Sequence, residues 1–178
     1  VLTMVIPLQY AVLIGVGLSV ILYVARQSNR IQVKQWVFAD DGTVREQDPP
    51  EELSAGQTVV LRPYGSLFFA AAAAFEASLP AVTDRSRDSV VIITLRGKED
   101  LGSTFINVVT RYAERLNAVD STLMLAGVTD RVADQLASTG AITAIGHDNV
   151  FRATPAVTES TREAMAAAQR LGEERGPA

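Results

Sequence analysis

The stretch VVIITLRGKEDLGSTFINVV, residues 90–109, decides the fold. Its first six residues are continuously apolar and rich in β-branched side chains, the pattern of a strand covered on both faces. A glycine-containing loop follows, and a helix opens at Ser103-Thr104. Apolar residues then recur at Phe105, Val108, Val109, Tyr112, Leu116 and Val119, a helical stripe that leaves Arg111, Glu114 and Arg115 largely off it.

Working outward, the same alternation continues on both sides. Downstream, residues 122–128 (TLMLAGV) repeat the buried-strand pattern. Residues 130–138 open on a cap residue and stop before Gly140, so they predict a helix. Residues 144–151 add a short fifth strand, and Thr154-Pro155 offers a cap followed by a proline suited to the first helical position, for a helix over 155–171. Upstream, residues 58–62 (TVVLR) and 35–39 (QWVFA) predict strands. Between them and the central strand, LFFAAAAAFEASL (67–79) predicts a helix behind a Gly65-Ser66 turn and cap, and its run of alanines allows close approach to a sheet. Residues 40–56 are polar and broken by Pro and Gly, so they predict an exposed connection. The tail GEERGPA, residues 172–178, predicts a frayed end. The fold class that follows is α/β, a mostly parallel four- to five-stranded sheet with flanking helices and one antiparallel edge.

Composition sharpens the organisation. The chain has a formal charge of −4 from 16 basic and 20 acidic residues, yet residues 1–25 contain none of them. An apolar run from Pro7 to Ala25 is long enough, at about 1.5 Å per residue, to match a bilayer core of about 30 Å. The basic residues Arg26, Arg30 and Lys34 come after the run, the order expected where a span stops at the cytoplasmic face. A signal peptide would carry its basic residues first. A buried helix of a soluble protein is the remaining alternative. Ala11, Gly15 and Ser19 recur every four residues, a stripe of small side chains on which other membrane helices could pack. The expected organisation is a transmembrane helix over 1–29, an entry strand and polar connection over 30–56, a domain body over 57–171 and a flexible tail over 172–178.

Most catalytic chemistry is missing. The chain has no Cys, which removes disulfides and thiolate chemistry, and one His. His147 lies in the polar turn GHDNVF, the setting of a solvated loop residue. There is no phosphate loop, no dinucleotide fingerprint, no zinc-protease pair and no nucleophile elbow. Neither a cofactor nor a metal site is expected, and an acidic balance gives no reason to expect nucleic acid. One junction stands out. Ser103 and Thr104 sit where a helix presents unpaired N–H groups and the positive end of its dipole, so a phosphate there would be accommodated. From spacing alone the favoured reading is the plainer one, that Ser103 simply caps the helix.

These pieces resemble a STAS domain, a fold named for sulfate transporters and anti-sigma-factor antagonists. GSLFFAAAAAFEASL (65–79) resembles the first-helix motif of STAS domains attached to SulP-family anion permeases. VVIITLRGKEDLGSTFINVV, STLMLAGV and IGHDNVF follow in the family's order, and PLQYAVLIGVGLSVILYVARQSNRI resembles the last membrane helix of the same permeases. The resemblance implies a cytoplasmic regulatory domain on the final helix of a sulfate- or bicarbonate-type secondary transporter in the inner or plasma membrane. Its partners would be the upstream transmembrane helices, a second copy in a homodimer, and a regulatory protein or nucleotide. The short connection over residues 80–89 resembles bacterial members. The alternative it implies is a membrane-tethered signalling module switched by Ser/Thr phosphorylation at Ser103 or Thr104. Against that alternative, Gly102 stands where antagonist modules carry an Asp, and Phe105 where a Gly often follows.

Overall fold

A computed structural model describes residues 8–28, 31–39, 41–65, 67 and 72–175 of the chain. The chain divides into two units, residues 1–30 and residues 31–178.

The first unit contributes one helix, α1 (Leu8–Ser28). Its side chains are described from Tyr10 to Tyr23, and every large apolar one among them is exposed, from Leu13 at 67% to Ile14 at 48%. Among the described residues no helix is long and apolar enough to cross a membrane. The transmembrane span expected over 1–29 is therefore not met within them.

The second unit is a six-stranded sheet in the order β2-β1-β3-β4-β5-β6. The strands are β1 (Gln32–Phe38), β2 (Val44–Gln47), β3 (Thr58–Tyr64), β4 (Val90–Thr94), β5 (Thr122–Val128) and β6 (Val150–Arg152). β3 to β6 run parallel, while β1 pairs antiparallel with both β2 and β3. The helices are α2 (Ala72–Ala77), α3 (Ser103–Asn117), α4 (Asp130–Ser138), α5 (Ala141–Ile145) and α6 (Glu159–Arg175). All buried apolar residues among those described lie in this unit, beginning at Val33.

Two clusters share the sheet. On one face Val59, Leu61, Val91, Ile93, Leu123 and Leu125 pack under α2 to α5. Every residue of β4 and β5 is buried, which is why both read as unbroken apolar runs. Phe75 of α2 meets Phe105 of α3 with ring centroids 4.6 Å apart. Tyr112 is buried in α3, and its hydroxyl donates to Pro80 O at 2.9 Å. On the other face Val60, Val90, Ile92, Met124 and Ala126 pack against Ala164 and Ala168 of α6.

Several expectations need correction. The sheet has six strands, because β2 forms inside the segment read as an exposed connection. Its residues VREQ hold one apolar side chain, as an edge strand with little to bury would. Residues 141–145 form α5, so only residues 150 and 151 of the expected fifth strand are extended, in a strand that runs on to Arg152. α6 starts at Glu159, four residues beyond Pro155, and continues to Arg175, so residues 172–175 of the expected tail are helical. Arg175 is held there by a hydrogen bond to Thr122 Oγ1 at 3.1 Å and by Asp88 at 3.9 Å. The expected cap Ser66 and the first part of the helix expected over 67–79 lie outside the described residues, apart from Leu67, which is not helical.

Candidate functional site

The junction between β4 and α3 is where the parallel sheet hands its central strand to a helix. Leu95 is buried and its N–H donates to Ala126 O at 2.8 Å, so the chain leaves the sheet with its backbone still paired. Gly97 turns the loop with φ +80, a left-handed conformation that glycine adopts without strain. Lys98 reaches back to Gly65 O, and Gly102 N–H donates to Leu67 O at 3.4 Å. The loop is thus tied to the end of β3. Burial, and then the nearby charge of Arg62, pull the Lys98 ammonium below its ordinary pKa. On the other side Asp100 pairs with Arg131 at 2.9 Å and accepts from Gln135, whose amide oxygen takes the Leu101 N–H at 3.0 Å.

Ser103 and Thr104 are the first two residues of α3. The N-cap is Gly102, which has no side chain to bond, so the expectation that Ser103 caps the helix is corrected. Ser103 is exposed, Thr104 is half-buried, and among the described residues neither hydroxyl makes a hydrogen bond. The first acceptor used by the helix is Gly102 O, from Ile106 N–H at 3.0 Å, which leaves the earlier N–H groups of α3 directed at the loop.

The other named positions lie apart. Ala11, Gly15 and Ser19 share a face of α1, where Ser19 Oγ donates to Gly15 O at 2.8 Å and no described atom comes within 4 Å of a Cβ built on Gly15. Arg30 and the side chain of Arg26 lie outside the described residues. Lys34 belongs to β1 and pairs with Asp48 at 2.8 Å. His147 is exposed in a short 3-10 turn. Among the described residues no group of three His, Asp or Glu side chains could hold a metal ion.

Sequence reasoning missed two arrangements. Arg96, just past β4, donates to Thr154 O at 2.7 Å, Ala156 O at 3.2 Å and Pro155 O at 3.2 Å, clamping the segment before α6. That clamp holds Pro155 in a turn and delays the helix. The second is on β1 and β3. Arg62 lies over the ring of Trp36, 4.6 Å from its centroid, and over Tyr64 at 5.2 Å. Trp36 Nε1 donates to Glu46 at 2.8 Å, and the Tyr64 hydroxyl donates to the same carboxylate oxygen. Those two hydrogen bonds, the Tyr64 one first, hold the Glu46 carboxyl below its usual range. No spacing within one strand carries this arrangement, because it needs β1 paired with both neighbours in register.

Among the described residues, α2 to α5 lie on one face of the sheet, α6 lies on the other, and β1 and β2 form an antiparallel entry hairpin. The STAS domain profile matches residues 50–157, more than half of the chain. The chain belongs to the STAS domain family. No curated protein sequence matches it. Among solved structures it is similar to a sulfate transporter family protein from Wolinella succinogenes, with a TM-score of 0.55 at 23% identity over 76% of this chain and 97% of that one. It is also similar to the murine Slc26a9 anion transporter in its inward-facing state, with a TM-score of 0.64 at 16% identity over 93% of this chain but only 26% of that one. A second SLC26A9 structure gives 0.60 at 16% identity, over 92% of this chain and 28% of that one.

Proposed function

We propose that this chain is the regulatory STAS domain of a SulP-like secondary anion permease together with the permease's final membrane helix. The observation that carries the reading is the extent of the structural likeness. Residues 31–178 make up less of the chain than the 93% that is matched to an anion transporter, so the likeness takes in part of the segment before β1. The exposed apolar side chains of α1 support a lipid setting for that segment, because burial in lipid would remove from water a surface that the chain itself leaves uncovered.

On this reading residues 1–29 lie in the inner or plasma membrane, and the domain faces the cytoplasm. The stripe of Ala11, Gly15 and Ser19 packs on upstream helices of the same permease, which forms a homodimer. The anion, of the sulfate or bicarbonate kind, is handled by those upstream helices, and the domain adjusts transport without catalysing a reaction. Ser103 and Thr104 are the positions at which a phosphoryl group would be received, at the donor end of α3.

The test is the native polypeptide. Its intact mass is expected to exceed that of residues 1–178 by many membrane helices. Sulfate uptake into vesicles carrying it is expected to change when residues 31–178 are deleted while the membrane part still inserts. A native polypeptide with no upstream membrane segment would sink the reading.

A further inference from the structure

The chain keeps only two lysines. Of its 16 basic residues 14 are arginine, and the exceptions are Lys34 and Lys98. The distinction matters chemically, because a guanidinium stays protonated whereas an amine that gives up its proton becomes a nucleophile. Lys34 is an ordinary surface lysine. It pairs with Asp48 at 2.8 Å, and that hydrogen bond, then the charge of the same carboxylate, hold its ammonium above its usual value.

Lys98 stands in the reverse setting. β3 and β4 run parallel, with Leu61 beside Ile93, so Arg62 and the loop that carries Lys98 leave the sheet at the same edge. Lys98 Nζ donates to Gly65 O, three residues beyond Arg62, and the lysine is half-buried there. Among the described residues it has no carboxylate partner. Glu99 is exposed, and Asp100 in the same loop is taken by Arg131 at 2.9 Å. The charge that does act on Lys98 is the like charge of Arg62. A partly desolvated amine beside a second cation is the arrangement that activates a lysine as a nucleophile.

Arg62 is itself short of a partner. Its guanidinium lies over the rings of Trp36 and Tyr64, 4.6 Å and 5.2 Å from their centroids, and among the described residues it makes no hydrogen bond and no ion pair. Glu46 is occupied by Trp36 and Tyr64, which both donate to one of its oxygens. A free guanidinium and an activated amine thus share one edge of the sheet, with no acid paired to either.

Carbon dioxide is the smallest electrophile that resolves this. The lone pair of the neutral amine forms a bond to the carbon of CO2, one C=O electron pair moves onto oxygen, and the nitrogen passes its proton to water. Counted from the ammonium, two protons leave, and the side chain changes from one positive charge to one negative. No leaving group, oxidant or second enzyme is needed. The product ends in a carboxylate-like group, which a guanidinium takes with two parallel hydrogen bonds. An acetyl group would neutralise the amine and leave Arg62 without a partner.

We propose that Lys98 is a carbamate site, at which dissolved CO2 adds reversibly and the carbamate is held by Arg62. The modification draws Nζ away from Gly65 O, so the loop between β4 and α3 exchanges its tie to the end of β3 for one to Arg62. The domain thereby responds to CO2, a property that goes beyond the permease reading and does not depend on it.

The test equilibrates residues 1–178, in detergent near neutral pH, with isotopically labelled bicarbonate and the CO2 it supplies. Triethyloxonium then esterifies any carbamate, so that it survives digestion and is located by mass spectrometry. The expected product is an ethyl carbamate on Lys98, about tenfold more abundant than on Lys34. Lys98→Arg keeps a donor for Gly65 O and is expected to abolish the product. Arg62→Gln is expected to lower it about fivefold, because the activating charge and the partner of the carbamate are lost together. Arg115→Gln, whose arginine pairs with Glu76 on the opposite face, leaves it unchanged. Melting temperatures show which variants fold, and if Arg62→Gln does not, the comparison of the two lysines in the parent chain decides alone. No adduct on Lys98, equal adducts on both lysines, or a yield indifferent to Arg62 in a folded variant would overturn the proposal.

Discussion

Gly127 lies so close to Arg96 that a Cβ built on the glycine would stand 3.0 Å from the arginine Cβ and 3.1 Å from its Cα and N. Gly127 also has φ +71, and the pairing of β5 with β6 shifts register between Ala126 and Val128. The bulge and the missing side chain together let Arg96 cross over β5 to the carbonyls before α6. Gly127→Ala combines a left-handed conformation with a backbone clash and is expected to cost about 2 kcal/mol or more. Urea denaturation of residues 31–178 measures it, and a loss of less than 0.5 kcal/mol, by the ordinary range for harmless substitutions, would remove the claim of close approach.

Arg96→Met keeps most of the aliphatic stem and removes the charge-assisted bonds. Loss of donors to three carbonyls is expected to cost about 1–3 kcal/mol. The loss should be local, so amide exchange at residues 159–162 is expected to quicken more than exchange in β4. Equal protection at the start of α6 in both proteins would show that the clamp is not what holds the segment.

Tyr112→Phe tests the buried hydroxyl. The variant leaves Pro80 O without its partner, at an expected cost of about 1–2 kcal/mol at neutral pH. Burial pushes the Tyr112 phenol above its ordinary value of 10.0, with Arg115 opposing more weakly. With a raised folded value, the stabilisation is complete below pH 10 and is lost as pH rises through the folded value, because the unfolded chain ionises first. The parent domain is therefore expected to lose stability above pH 10 more steeply than Tyr112→Phe, which pH-dependent thermal unfolding can compare.

Ser103→Glu and Ser103→Lys read the electrostatics of the α3 N-terminus with opposite signs. An acidic side chain at this first helical position is expected to stabilise by about 0.3–1 kcal/mol at low salt, and a basic one to destabilise similarly. Salt should shrink the difference between the variants. Equal melting temperatures at low ionic strength would show that a phosphoryl group gains nothing from the helix end.

Much of the fold was legible because burial writes itself into β4, β5 and α4 as apolar runs or stripes with clean caps. What escaped was decided across the chain. β2 is held as a strand by β1, and VREQ alone carries no pattern. Pro155 is a good first helical residue by local preference, but Arg96, about 60 positions earlier, captures its carbonyl. Ser103 is a good cap by type, yet Gly102 occupies the cap position. The cluster of Trp36, Arg62, Tyr64 and Glu46 exists only once β1 is paired with both neighbours in one register, so no spacing within a single strand reveals it.

That α6 alone covers its face has a consequence during synthesis. Every described strand precedes α6 in the chain, so these six strands are synthesised before the helix that shields Val90, Ile92, Met124 and Ala126. For the time needed to translate some 25 further residues, a second or more at cellular rates, the nascent domain presents that apolar face bare. Premature termination after β6 would make the exposure permanent, leaving a product for chaperones and proteases to clear.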